Sequence, residues 1–212
     1  MAKAPMHAKP KQLFSTTLNY GATAGIAILA VFAVFTYIIC SMDATTTPTK
    51  TIVTELLPAH YPQVKEIYEL GIATGNATLE TKAPEWADWD AKFMKSCRLV
   101  TLQNGRVVGW AALSAVSGRC VYAGVAEDTV YIHPDFKGQG IGKLLLKELV
   151  KASEKEGIWT LQAGILVENT ASIKLHEQCG FRIVGVREKL GQLHGQWRDI
   201  CLMERRSKLV GL

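Results

Sequence analysis

The chain has no C-x-x-C pair and no His/Cys cluster, and its five cysteines (Cys40, Cys97, Cys120, Cys179 and Cys201) are scattered and odd in number. That leaves no pattern for a zinc ribbon or finger and none for a paired disulfide framework. The expected state is reduced, mostly buried thiols, with no metal. A long basic run interleaved with aromatics is also missing, so nucleic acid is not expected as a partner. The formal net charge of +5 is unevenly spread: residues 1–50 hold four Lys and one Asp, and the remainder holds 20 basic and 18 acidic residues. A surplus of two over the larger part suits a small anionic ligand better than a polyanion.

The second absence is charge near the N-terminus. No Asp, Glu, Lys, Arg or His occurs from Gln12 through Met42. As a helix, the apolar stretch 21–41 would span roughly 31 Å, the thickness of a bilayer's hydrocarbon core. It is long for a signal-peptide core, and Ser41-Met-Asp-Ala44 is a poor cleavage site. The expected organisation is a short basic tail over 1–19, a transmembrane helix over 20–42, a linker over 43–50 and one domain over 51–212. Lys3, Lys9 and Lys11 precede the span and only Lys50 lies close behind it, a bias that would send the domain out of the cytoplasm.

Within the domain, hydrophobic spacing sets out the elements. Ile52–Glu55 suits a strand, and Val64, Ile67 and Tyr68 recur at helical spacing over Tyr61–Leu70. Asn76–Glu80 reads as a short β segment. Pro84-Glu85-Trp86 opens a helix whose Trp86, Trp89 and Phe93 form a core stripe. Asn104-Gly105 between two apolar runs signals a hairpin. Thr129–His133 and Leu161–Val167 read as strands. Asn169–Cys179 is a short helix stopped by Gly180, and Phe181–Val186 with Trp197–Met203 is a closing antiparallel pair. Strands and helices mix without strict alternation, which gives a mixed α/β (α+β) sandwich.

The most telling stretch is Val130-Tyr-Ile-His-Pro-Asp-Phe-Lys-Gly-Gln-Gly-Ile-Gly142 with the helix after it. A strand runs into a glycine-rich turn, and the turn opens an amphipathic helix with Ile141, Leu144, Leu145, Leu149 and Ala152 on its inner face. Unpaired N–H groups at such a helix mouth hold a pyrophosphate. A dinucleotide fingerprint would need Gly at 143, which is Lys. A Walker loop would need Gly at 137 and Ser or Thr at 144, which are Lys and Leu. What remains is a basic residue, two spacers, Gly, one spacer, Gly: Lys137-Gly138-Gln139-Gly140-Ile141-Gly142.

That motif resembles the acetyl-CoA loop of the GCN5-related N-acetyltransferases (GNAT), with Lys137 in place of the usual Arg or Gln. The resemblance continues through Asn169–Phe181, similar to the family's second CoA-binding segment. Ile67–Glu80 and His194–Asp199 resemble the phosphinothricin and methionine-sulfoximine acetyltransferase branch. It implies a GNAT fold, a mostly antiparallel mixed sheet flanked by helices, with acetyl-CoA as co-substrate and a small amino-acid-like amine as acceptor. It implies CoA contacts at Val130, Tyr131, Ile132, Lys137, Gly138, Gln139, Gly140, Ile141, Gly142 and Asn169, the N–H of Ile132 serving also as oxyanion donor.

The same resemblance makes Glu127, in Glu-Asp-Thr-Val-Tyr131, the general base. Asp128 alternates to the other face of the strand and is not expected to be catalytic. His176 stands where many members carry a proton-donating Tyr; acid and packing roles are open for it. His194 is expected near the acceptor, where contact with it, assistance in proton transfer or a plain loop position are open, and Tyr122 is expected beside the acceptor pocket. The branch's Arg after that aromatic is Ala123 here. An intracellular donor places the domain on the cytoplasmic side of the membrane, against the lysine bias; a soluble cytoplasmic enzyme is the alternative if the N-terminal segment is not authentic. A homodimer is a family-level expectation. A protein acetyltransferase and a catalytically idle acyl-CoA sensor are the competing functions.

Overall fold

Strand β3 (Arg106–Ala115) sets the plan of the molecule. Trp110 and Ala112 face one way and Ala111 and Leu113 the other, all fully buried. Period-two alternation with apolar residues on both sides requires a sheet covered on both faces. The structure is a computed structural model that describes residues 50–212. The expected tail, transmembrane helix and all but the last residue of the linker lie outside the described residues. Among the described residues no helix is long and apolar enough to cross a membrane.

Seven strands form the sheet: β1 (Thr51–Glu55), β2 (Leu99–Gln103), β3, β4 (Val125–Ile132), β5 (Thr160–Leu166), β6 (Arg182–Leu193) and β7 (Gln196–Arg206), in the order β1-β2-β3-β4-β5-β7-β6. All neighbours are antiparallel except β4 and β5. On one face lie α1 (Tyr61–Ala73) and α2 (Trp86–Lys92). Their Val64, Ile67, Tyr68 and Trp89, with Phe93 just after α2, pack on Trp110 and Val100. The other face carries α3 (Ile141–Lys155), with Leu145, Leu146 and Leu149 on Ala126, Ala163 and Met203. Ile173 and Leu175 of α4 (Thr170–Gln178) pack against the same cluster. This is the mixed α/β sheet that the sequence leads one to expect.

Three expectations need correction. Asn76–Glu80 is not a strand: Thr74 Oγ1 accepts from Asn76 N–H and Thr78 Oγ1 from Glu80 N–H, so local side-chain bonds take donors a ladder would need. On α3 the inward stripe takes Leu146 and Val150, while Leu144 turns out to solvent. The closing pair is longer than its apolar runs suggest, and β6 carries irregularities along it, one with Lys189 at φ 48°.

Candidate active site

Strands β4 and β5 pair for only three residues, Val125↔Thr160, Ala126↔Leu161 and Glu127↔Gln162. Beyond Glu127 they part, while β4 stays paired with β3 through Ile132 and β5 stays paired with β7 through Leu166. The parting leaves backbone groups unmatched in the middle of the sheet. His133 N–H donates to Val108 O at 2.9 Å. Antiparallel alternation then turns the backbone of Tyr131 toward β3 and the N–H groups of Val130 and Ile132 toward the opening. Buried donors need partners, and here a ligand can supply them. A cavity of about 370 Å³ occupies the opening, lined among others by Glu127, Val130, Tyr131, Gly164, Asn169 and His176.

Glu127 is the last residue of β4 paired with β5 and points into this cleft. Its side chain is open to water at the cleft mouth, yet the concave walls thin that water. Desolvation, and then the charge of Asp128, push its carboxyl above the ordinary range, against the opposing pull of Lys92 and Arg187. Gly164 on β5 makes room for it. A Cβ there would stand 3.3 Å from Glu127 Oε1 and 3.5 Å from Ile200 Cγ2.

Asp128 faces the other way, as strand alternation requires, and it is not idle. Its Oδ2 lies 2.9 Å from His176 Nε2, both side chains are buried, and His176 Nδ1 lies 2.7 Å from Ser172 O. Burial disfavours the imidazolium, but Asp128's hydrogen bond and charge and the Ser172 carbonyl outweigh it, so the His176 pKa is raised. Both ring nitrogens are thereby engaged within the protein. Asp128 Oδ1 has no partner. Sequence reasoning missed this pair; adjacent residues on opposite strand faces were the available signal, but the partner lies 48 positions away.

The glycine loop forms the second half of the site. Gly138 and Gly140 both adopt φ 77°, the left-handed region that favours glycine. Gly140 is the N-cap of α3 and no side chain caps that end, so the first-turn N–H groups of Ile141, Gly142 and Lys143 face outward. Lys137 is extended and exposed beside them, while Gln139 bends back toward Asp135 O at 3.4 Å. Asn169 caps α4 through Ser172 N–H at 3.2 Å and lines the cleft as well. Two expected residues are not brought to Glu127. His194 sits at φ 49° at the exposed tip of the β6–β7 hairpin. Tyr122, before β4, lies under the Arg119 guanidinium at 5.3 Å. Neither lines the cleft, nor does Trp197.

A split parallel strand pair beside an uncapped glycine-rich helix mouth suits a ligand that joins an anionic diphosphate to an extended polar arm. The family model described as Acetyltransferase (GNAT) family matches residues 63–181. The phosphinothricin N-acetyltransferase of Alcaligenes faecalis is 34% identical over 68% of this chain and 76% of its own length. The L-methionine sulfoximine/L-methionine sulfone acetyltransferase of Pseudomonas paraeruginosa is 30% identical over 69% of this chain and 88% of its own. A crystal structure of a phosphinothricin acetyltransferase from Sinorhizobium meliloti in complex with AcCoA superposes with a TM-score of 0.70 at 31% identity, covering 76% of this chain and 90% of that one.

The chain therefore belongs to the GNAT acetyltransferase family. It is an acetyl-CoA-dependent acyltransferase. The cradle fits that co-substrate: the left-handed Gly138 and Gly140 and the free first turn of α3 match a diphosphate, and the open edge of β4 matches an amide-bearing arm.

Proposed function

We propose that the chain transfers the acetyl group of acetyl-CoA to the amine of a small amino-acid-like acceptor, of the kind phosphinothricin and methionine sulfoximine represent, by direct attack assisted by Glu127. The observation that carries this reading is the place of Glu127. It stands where β4 and β5 part, on the sheet face opposite α3. The glycine cradle opens α3, so carrier and acceptor approach the opening from opposite sides.

Acetyl-CoA supplies the activated carbonyl. The loop from Lys137 to Gly142 holds its diphosphate, and Asn169 adds a contact from the head of α4. Val130 and Ile132 offer the N–H groups that pair with the arm and polarise the carbonyl. Glu127 removes a proton from the acceptor amine as nitrogen attacks. A raised pKa makes its ionised form a stronger proton acceptor. The C–N bond forms, the C–S bond breaks, and the thiolate takes up a proton on release, giving an acetamide and CoA. His176 enters as support beneath β4, since both its nitrogens are committed.

The test is an acceptor screen of the full chain, following free thiol released from acetyl-CoA. The expected result is release with amino-acid-like amines, phosphinothricin and methionine sulfoximine among them. Release with lysyl or N-terminal peptide amines alone would contradict the reading.

A further inference from the structure

The face of the sheet that carries Glu127 carries a cation as well. Arg187 on β6 is the register partner of Ile200 on β7, and Ile200 is the partner of Leu166 on β5. Register partners share a face. Leu166 lies two residues from Gly164, whose missing Cβ gives Glu127 its room, so both belong to that face. Arg187 therefore stands on the Glu127 side of the sheet, beyond the opening, and it lines the same cavity. Its charge reaches Glu127.

Among the described residues its guanidinium makes no hydrogen bond or ion pair. Its cavity neighbours Leu190, Ile200 and Leu202 offer no acceptor side chain. Lys92, at the end of α2, lines the opposite wall, and among the described residues its one carboxylate partner is Glu80 at 3.7 Å, with both side chains half exposed. A pair so open holds the ammonium weakly. Asp128, whose charge also reaches Glu127, is held by His176 on the other face of the sheet.

We propose that Arg187, with Lys92 across the cleft, is the subsite for an anionic group of the acceptor, so that the acceptor is an amine that also bears a carboxylate or similar oxyanion. This rests on the acetyl-transfer reading of the cleft. The planar fork of a guanidinium pairs bidentately with such a group. The acceptor then spans the face with its nitrogen at Glu127 and its anion at Arg187.

The subsite is read without turnover, by calorimetric titration of the CoA-bound full chain with the proteinogenic L-amino acids and, for the best binder, with its carboxamide. Binding of the amino acid is expected to weaken about 10- to 100-fold in Arg187→Gln, and its advantage over the carboxamide to collapse. Arg187→Lys should keep part of that advantage, and Lys92→Gln should lose a smaller share. Retained CoA binding reports that each variant is folded. An amino acid that binds Arg187→Gln as tightly as the wild type overturns the subsite. So does an equal loss for acid and carboxamide, and so does a wild type that binds no amino acid. Should the binding difference appear while no amine releases thiol from acetyl-CoA, the acetyl-transfer reading fails and the anion subsite stands.

Discussion

Glu127 and Asp128 are neighbours in sequence with opposite surroundings, because a strand turns alternate residues to opposite faces. Glu127 looks into the cleft; Asp128 is sealed against His176. Each placement has a pH consequence. Desolvation and the Asp128 charge raise the Glu127 pKa, and in the proposed role as base it would work only when ionised. The acid limb of kcat/KM is therefore expected above the ordinary carboxylate value of 4.5. A pH–rate profile on the free enzyme checks this; a limb at or below 4.5 would remove Glu127 from the step. For His176 the folded pKa lies above its ordinary 6.5. Its contribution to stability is thus fully present below about 6.5 and fades as pH rises through the folded value. Asp128→Ala strands the imidazole and should cost about 3 kcal/mol at pH 6, less at pH 9, in urea unfolding. An equal loss at both pH values would argue for packing alone.

At the scale of elements, local signals and tertiary choices separate cleanly. The β2–β3 hairpin was legible because Asn104 and Gly105 take φ 50° and 80°, and few residues other than Asn and Gly do so readily. The glycine loop was legible for the same reason. The α3 face was not: Leu144, Leu145 and Leu146 are chemically alike, and only packing under β3 and β5 decides which is inside. Leu146→Ala should cost about 2–5 kcal/mol and Leu144→Ala well under 1, by denaturant unfolding. The reverse order would show that the helix is rotated from the face described. The floor of the site was illegible because Asp128 meets His176 only when β4 and α4 are folded together. His194 and Tyr122 show the converse: their motif positions suggest the acceptor side, but His194 lies at the tip of the β6–β7 hairpin, Tyr122 lies under Arg119, and neither lines the cleft.

At the scale of the molecule, the sheet consists of two antiparallel blocks, β1–β4 and β5–β7, joined by three residue pairs. The candidate site opens at this weak seam. A ligand that bonds the open edge of β4 and the mouth of α3 completes hydrogen bonding the folded chain leaves unmade, and it binds only the folded state. CoA at about 100 times its dissociation constant should therefore stabilise the protein by about 2.7 kcal/mol, seen as an upward shift in thermal melting. The shift should shrink when Gly140 is replaced by Ala, because a Cβ is strained at φ 77° and disturbs the cradle. No shift with CoA would contradict the cradle.

The most direct measurement is thiol release from acetyl-CoA by Glu127→Gln at saturating acceptor, with CoA affinity measured on the same preparation. With Glu127 as the base, affinity stays unchanged and turnover falls about 10²- to 10⁴-fold. Unchanged turnover in a variant that still binds CoA would contradict that role.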